Sequence, residues 1–155
     1  LFVGNDFERK GLKDCIQALG VARGAHLVVV GAGPRDSYLR QAAELGVEDR
    51  VTFVGGTSEP ERYFRGADVF LLPTKEDPWG LTLIEAMAAG VPAVTFEAAG
   101  ASVVVRDARA GIVVPSGDRA AFQAAVVRLG GTGRRGPGWR AWTAALAWQG
   151  IGGGT

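Results

Sequence analysis

Six short apolar runs recur along this chain, and a segment of helical periodicity follows each of them. The runs are rich in valine and are closed by glycine, proline or a polar residue, which is the pattern of buried strands. They are Leu1–Gly4, His26–Val30, Val51–Val54, Val69–Leu72, Ala93–Phe96 and Gly111–Val114. Residues 27–30 are apolar without alternation, as expected of a parallel strand that is covered on both faces.

The intervening segments carry apolar residues at helical spacing. They are Leu12–Ala22, Asp36–Leu45, Glu59–Phe64, Leu81–Ala89, Ala101–Asp107 and Asp118–Leu129. Strands that alternate strictly with helices predict right-handed crossovers between parallel strands. We therefore predict an α/β fold, with a doubly wound, Rossmann-like parallel sheet of about six strands and helices on both faces. Ligands of such sheets bind beside the loops that follow the strands.

Length and composition describe one globular domain. The chain has 155 residues, of which 47% are apolar and 21% charged, and this is enough for a sizeable core. The net charge of +1 gives no reason to expect a nucleic-acid partner. A single cysteine, Cys15, excludes an internal disulfide and predicts a reducing, cytoplasmic location. The apolar runs are too short for a transmembrane helix.

The last part of the chain differs in composition from the rest. Gly130–Thr155 is rich in glycine and tryptophan, and such low complexity predicts a poorly ordered or non-native tail. Within it, Trp139, Trp142 and Leu146 could share one helical face that docks on a partner domain or touches a membrane. We therefore predict a folded domain over residues 1–129 and an atypical tail after it.

The loop after the fourth run leads into a helix and brings two carboxylates with it. Asp77 lies in the loop, and Glu85 lies one turn into the helix. Gly80 lets a ligand approach the backbone, and the free N–H groups of Leu81–Leu83 at the helix N-terminus favour phosphate. The segment predicts a site for an anion that carries hydroxyl groups at both ends.

Two structural alternatives compete with this interpretation. Thr82 and Glu85 have the spacing of a capping box, in which the glutamate returns to the backbone at the helix start. Against it, Glu85 shares a helical stripe with Leu81 and Ala88, where an ionised carboxylate is costly without partners. Asp77 precedes a proline, which is common turn chemistry for an aspartate.

A second candidate lies in the loop after the first run. Arg9 and Lys10 are adjacent cations at a helix N-terminus, a position that the helix dipole disfavours. A bound phosphate would remove that penalty, with Arg9 as a fork and Lys10 as a compact charge. The alternative is a pair of solvated cations on an exposed loop.

The remaining loops carry weaker patterns. Gly31–Pro34 fails as a dinucleotide fingerprint, because Asp36 stands where the third glycine belongs, and it predicts a tight turn near the site. The end of the third run, at Val54, could present backbone to a base. His26 is the only histidine, and with no histidine or cysteine cluster the sequence predicts no metal site.

These elements, in this order, resemble the C-terminal domain of retaining glycosyltransferases of the GT-B fold, in family four. The resemblance covers about residues 1–129 and rests on Phe2-Val3-Gly4, Arg9-Lys10-Gly11, Leu27–Pro34, Arg50-Val51-Thr52-Phe53-Val54-Gly55, Ala67-Asp68-Val69, Asp77–Glu85, Ala86-Met87-Ala88-Ala89-Gly90-Val91-Pro92 and Gly111–Asp118.

The resemblance implies a role for each part of the site. Arg9 and Lys10 would hold a diphosphate, Gly80–Leu83 would offer N–H groups to phosphate and sugar, Asp77 would take sugar hydroxyls, and Glu85 the ribose. The candidate catalytic residues are Arg9, Lys10, Asp77 and Glu85. The candidate donor-binding residues are Gly4, Arg9, Lys10, Val54, Asp77, Gly80, Leu81, Thr82, Leu83 and Glu85.

Three departures from the family pattern stand out. The first acidic position is usually glutamate, whereas here it is Asp77, with Glu76 beside it as a possible substitute. The loop after the fifth run reads Ala99–Val103 where the family usually has two glycines and a glutamate. The tail after Leu129 does not resemble the final helices of the family.

The resemblance also implies a function. The chain would be the donor-binding half of an enzyme that moves a sugar from a UDP- or GDP-linked donor, without a cofactor. Because Leu1 opens inside an apolar run, we expect a missing N-terminal half that binds the acceptor, and the full-length parent could contact a membrane peripherally. The alternatives are a non-catalytic nucleotide-sugar-binding module and an NAD-binding Rossmann domain.

Overall fold

Six strands form at the predicted positions in the computed structural model, which describes residues 1–130. They are β1 (Phe2–Val3), β2 (Leu27–Val30), β3 (Val51–Gly55), β4 (Phe70–Leu72), β5 (Ala93–Phe96) and β6 (Gly111–Val114). Each lies within one residue of its predicted bounds, because the apolar run and the residues that close it agree. The tail with Trp139, Trp142 and Leu146 lies outside the described residues.

Six α-helices alternate with the strands, again as predicted. They are α1 (Leu12–Val21), α2 (Asp36–Glu44), α3 (Glu61–Gly66), α4 (Leu81–Ala88), α5 (Ser102–Asp107) and α6 (Arg119–Gly130), and a short 3₁₀ turn covers Glu48–Arg50. Within residues 1–130, no helix combines the length and the apolar character needed to cross a membrane.

The strands form two parallel three-stranded halves that meet between β1 and β4. One half has the order β1-β2-β3 and the other β4-β5-β6. At the junction, the N–H of Leu71 donates to Leu1 O at 2.9 Å and the Leu1 amine donates to Val69 O at 2.8 Å. The resulting order, 3-2-1-4-5-6, is that of a doubly wound Rossmann sheet. Its strand order reverses between β1 and β4, so the loops after these two strands flank the expected ligand crevice.

Two apolar clusters confirm that helices cover both faces of the sheet. On one face, Phe2, Leu12 and Phe122 belong to a cluster that joins α1, α2 and α6 to the strands. On the other, Leu83 and Val105 belong to a cluster that joins α3, α4 and α5 to β4 and β5. Both clusters lie under the helix starts that carry the candidate site, so the core fixes where those starts lie.

Candidate functional site

The loops after β1 and β4 are joined to each other at the switch point. Lys75 N–H donates to Arg9 O at 2.8 Å, and the buried Thr74 hydroxyl lies 3.1 Å from the same oxygen. The Arg9 guanidinium donates through Nη1 to Glu76 O at 2.9 Å. The two loops that the sequence singled out are therefore neighbours, although 65 residues or more separate these partners along the chain.

Gly11 allows the first loop to lie directly against the second. Its φ of +81° is in the left-handed region, and a Cβ built there would contact the backbone of Pro73, with the carbonyl carbon at 2.9 Å. Neither condition suits a residue with a side chain. Gly11 also precedes α1 as its N-cap, so the same residue ends the loop that carries Arg9 and Lys10.

Lys10 and Asp77 form an ion pair across the crevice. Lys10 Nζ lies 3.1 Å from Asp77 Oδ2, and the two side chains are 14% and 12% exposed. The other carboxylate oxygen of Asp77 accepts the N–H of Gly80 at 2.9 Å. Burial raises the pKa of Asp77, but the Gly80 N–H and the Lys10 ammonium outweigh it and hold that pKa below its usual value. Asp77 is therefore ionised at neutral pH.

Arg9 is held differently from Lys10. Its Nε lies 3.0 Å from Asp6 Oδ2, and its backbone N–H donates to Asp6 Oδ1 at 3.0 Å. The unfavourable helix dipole at these two cations is already offset within the protein, because Asp6 pairs with Arg9 and Asp77 pairs with Lys10. The prediction that both hold a diphosphate is not decided by this, since each cation keeps donors that are not used.

The N-terminus of α4 leaves two backbone donors free. Gly80 is the N-cap, with a φ of +60°, and no side chain caps the helix. The N–H of Gly80 is used by Asp77 and that of Leu83 by Gly80 O, whereas those of Leu81 and Thr82 have no hydrogen-bond partner within residues 1–130. Of the four N–H groups from Gly80 to Leu83, two are therefore free to bind an anion. We call this pair, the N–H groups of Leu81 and Thr82, the anion seat.

The capping-box alternative is wrong. The helix begins at Leu81, so Thr82 is its second residue and cannot be the cap. The Thr82 hydroxyl oxygen is buried and has no hydrogen-bond partner among the described residues. Glu85 is consequently available for another role.

Glu85 lies on an exposed stripe of α4. The buried face of the helix is formed by Leu83, Ala86 and Met87, while Leu81 is 65% exposed on the other side. The free-energy cost that was predicted for an ionised Glu85 on a buried apolar face therefore does not arise. Desolvation by the surrounding protein is still the main effect on Glu85 and raises its pKa, and Glu61 on α3 adds to this more than the Lys10 ammonium subtracts.

The loops after β2 and β3 complete the carboxyl edge of the sheet. Asn5 Oδ1 accepts the N–H of Ala32 at 2.9 Å, which ties the loop after β1 to the loop after β2. Asn5 was not among the residues predicted from the sequence. The pairing of β2 with β3 passes from Phe53 to Gly55, which leaves Val54 as the unpaired residue of an irregularity. This irregularity interrupts the regular pairing at the end of β3, two strands away from β1.

Among residues 1–130, no group of three or more histidine, cysteine, aspartate or glutamate side chains is placed to hold a metal ion.

The arrangement of a cation, a helix start with free N–H groups and flanking carboxylates agrees with the comparison to known families. The model of the glycosyl transferases group 1 family matches residues 1–131. This chain belongs to that family. Membership confirms the GT-B resemblance and favours a transferase over the NAD-binding alternative.

Curated relatives agree with this assignment. The chain is 31% identical over 128 residues to the lipopolysaccharide core biosynthesis glycosyltransferase LpsE of Rhizobium meliloti, a match that covers 82% of this chain and 38% of that protein. It is 38% identical over 120 residues to the GDP-mannose-dependent alpha-(1-6)-phosphatidylinositol monomannoside mannosyltransferase of Mycobacterium tuberculosis, covering 68% of this chain and 31% of the relative. The chain therefore spans about a third of the length of these relatives.

Solved structures share the fold. WaaG, a glycosyltransferase involved in lipopolysaccharide biosynthesis, superposes with a TM-score of 0.85 at 25% identity, over 98% of this chain and 42% of WaaG. Anabaena HepE in complex with UDP gives a TM-score of 0.82 at 22% identity, over 96% and 44% of the two chains. The predicted doubly wound α/β fold is thus confirmed as a GT-B type Rossmann-like domain.

Proposed function

We propose that this chain is the donor-binding half of a retaining glycosyltransferase that transfers a sugar from a UDP- or GDP-linked donor to a glycan, lipid or small-molecule acceptor. It would be inactive without an N-terminal acceptor-binding domain. The observation that carries the proposal is that Asp77 joins the Lys10 ammonium to Gly80, the N-cap of α4, after which Leu81 and Thr82 keep free N–H groups.

The phosphate end of the donor would lie between these groups. The Lys10 ammonium and the two N–H groups converge from different loops, and the α4 dipole adds partial positive charge. Arg9 stands on the same loop, with its Nη2 not engaged by Asp6 or Glu76. Departure of the nucleoside diphosphate builds charge on its phosphates, and fixed donors of this kind stabilise such charge by several kcal/mol.

The nucleoside would extend from the phosphates toward α3. Glu85 lies one turn into α4 and near Glu61, so a ribose placed beside the anion seat meets the Glu85 carboxylate. Beyond it, the end of β3 around Val54, where the pairing with β2 is irregular, would contact the base. The sugar end of the donor would lie toward the Asp77 loop, whose side chain is beside Lys10.

The relatives support the class of donor and of acceptor. Their names include a GDP-mannose-dependent mannosyltransferase and enzymes of lipopolysaccharide core synthesis. Because these names refer to lipopolysaccharide and to phosphatidylinositol monomannoside, a glycolipid acceptor is the substrate that we propose to test first. The proposed site of action is the cytoplasm or the cytoplasmic face of a membrane.

Titration calorimetry on the 155-residue chain tests the donor proposal. UDP and GDP should each be titrated, with NAD as a comparison ligand of the Rossmann class. Saturable binding of UDP or GDP, and not of NAD, is the expected result. Binding of NAD alone would reject the proposal.

The role of Glu85 can be tested through the pH dependence of binding. The raised pKa of Glu85 places its protonation above the ordinary value of 4.5, and the protonated group is a weaker acceptor for ribose hydroxyls. Affinity for a nucleotide sugar should therefore fall as pH drops from neutral toward that region, and should fall less for Glu85→Gln.

A nucleotide sugar is the right ligand for this titration, because both of its phosphates are esterified. A free nucleoside diphosphate has a terminal phosphate that itself titrates near pH 6, which would mask the protein group. Glu48→Gln, at a surface carboxylate in the 3₁₀ turn, is the matched control. Parallel pH profiles for wild type and Glu85→Gln would show that Glu85 does not contact the donor.

A further inference from the structure

The two oxygens of Asp77 are already engaged within the protein. Oδ1 accepts the Gly80 N–H at 2.9 Å and Oδ2 lies 3.1 Å from Lys10 Nζ. The residue is 8% exposed, and its pair with Lys10 is largely closed to solvent. These two contacts take about half of the acceptor positions of an ionised carboxylate, and burial restricts access to the others.

The backbone around Asp77 is also fixed. Gly100 N–H donates to Asp77 O at 2.8 Å, and a parallel bridge pairs Asp77 with Ala99 of the loop after β5. Gly100 has no Cβ, and one built there would contact the backbone of Pro78, so the two loops touch directly. Because the aspartate side chain is short and its backbone is held, the carboxylate cannot swing into the crevice as a longer side chain could.

Lys10 depends on Asp77 for its position. The methylene stem of Lys10 crosses Gly4, where an added Cβ would lie 2.8 Å from Lys10 Cε. The ammonium reaches past Gly4 to Asp77, and it is also close enough to Glu85 to lower the pKa of that group. Lys10 thus lies between the two carboxylates of the β4–α4 segment, and Asp77 holds its free end.

We infer that Asp77 is a positioning residue for the phosphate end of the donor site: it fixes the Lys10 ammonium and the Gly80 turn before α4, rather than binding the sugar. The inference rests on the proposed function. Asp77 stands where the family usually has glutamate. Its shorter side chain stays in contact with Lys10 and Gly80, so this position would have a different role here.

Calorimetry with and without the sugar separates the two roles. UDP is compared with UDP-glucose, and GDP with GDP-mannose, using whichever pair the wild-type chain binds. If Asp77 acts through Lys10, Asp77→Asn should weaken the free diphosphate and the nucleotide sugar equally, by about 5- to 10-fold for a lost charged contact. If Asp77 binds the sugar, only the nucleotide sugar should lose affinity, and that result overturns the inference.

A double-mutant cycle tests the coupling to Lys10. Asp77→Asn in a Lys10→Met background should change diphosphate affinity by less than about 2-fold, because the Lys10 ammonium is gone and the amide oxygen of the asparagine can still accept the Gly80 N–H. Independent effects of the two substitutions would overturn the inference. Asp68→Asn, an exposed aspartate before β4, controls for the change of charge and should leave binding unchanged.

A second variant moves Lys10 without removing either charge. Gly4→Ala places a methyl group against the Lys10 stem and should weaken diphosphate binding as Asp77→Asn does, with thermal unfolding of each variant measured to confirm folding. Unaltered binding in a folded Gly4→Ala chain would count against the inference. Absence of any nucleotide binding to the wild-type chain overturns the proposed function and the inference together, whereas a sugar-selective effect overturns the inference alone.

Discussion

Gly11→Ala is expected to lower the free energy of unfolding by about 3–5 kcal/mol, as measured by urea denaturation. One part is the left-handed backbone at φ +81°, which strains a residue with a side chain by about 1–2 kcal/mol. The other is the contact between the new methyl group and the backbone of Pro73, which cannot rotate away as a side chain would. A domain of this size has about 5–15 kcal/mol to lose in total.

Gly117→Ala is the matched control for this prediction. Gly117 has the same φ of +81°, and nothing lies within 4 Å of its added Cβ. It should therefore cost only the backbone part, about 1–2 kcal/mol. Equal destabilisation by both substitutions would mean that the contact between the two site loops adds nothing, and the packing of Gly11 on Pro73 would have to be discarded as an explanation.

Gly11→Ala should also weaken ligand binding in the molecules that remain folded. Gly11 follows Lys10 directly and caps α1, so any shift that relieves the contact with Pro73 moves the Lys10 ammonium away from α4. Folded Gly11→Ala protein should bind diphosphate more weakly than wild type, whereas Gly117→Ala should not change binding.

The sequence predicted the strands and helices well, for a physical reason. Strand and helix bounds were accurate where periodicity and terminating residues agree; Ala93–Phe96 and Gly111–Val114 match residue for residue. Alternation predicts that the strand order reverses at one point, but it does not say which two strands meet there, because doubly wound sheets have more than one common strand order. The hydrogen bonds between Leu1 and the β4 strand show that β1 and β4 meet.

What the sequence could not supply depends on contacts between distant residues. The helix α4 is apolar on almost every side, so its pattern did not reveal that Leu81 and Glu85 face solvent while Leu83 and Met87 face the core. Arg50 is a similar case, because its guanidinium donates to Leu19 O, Ala22 O and Ala25 O at the end of α1. No residue near Arg50 in the sequence indicates that its guanidinium would bind these carbonyl groups.

The pairing of each site cation was hidden for the same reason. Asp6 is three residues from Arg9 and was visible as a neighbour, but Asp77 is 67 residues from Lys10. Charge counting could show that anions were available, whereas only the fold shows which cation each anion holds. This distinction separates Arg9, which pairs with Asp6 and also bonds Glu76 O in the loop after β4, from Lys10, which pairs with Asp77 in that loop.

Lys10→Met should have the largest effect on ligand binding, lowering affinity for the nucleoside diphosphate by about 30- to 100-fold. This corresponds to about 2–3 kcal/mol, the range for one hydrogen bond to a charged group in a partly closed site. Methionine keeps the stem that packs across Gly4, so the change removes charge with little change of volume. Lys13→Met, on the exposed side of α1, should change affinity by less than about 2-fold.

The same variant should reveal the ion pair through its acid response. Because the pKa of Asp77 is lower in the folded than in the unfolded chain, the pair stabilises the fold above the unfolded value of about 4, and this contribution is lost as pH falls through the folded value. Lys10→Met takes away part of that contribution at neutral pH. The difference in unfolding free energy between wild type and variant should therefore be largest near pH 7 and shrink below pH 4. A difference that stays constant with pH would show that Lys10 stabilises the chain by packing on Gly4 and not by its charge on Asp77.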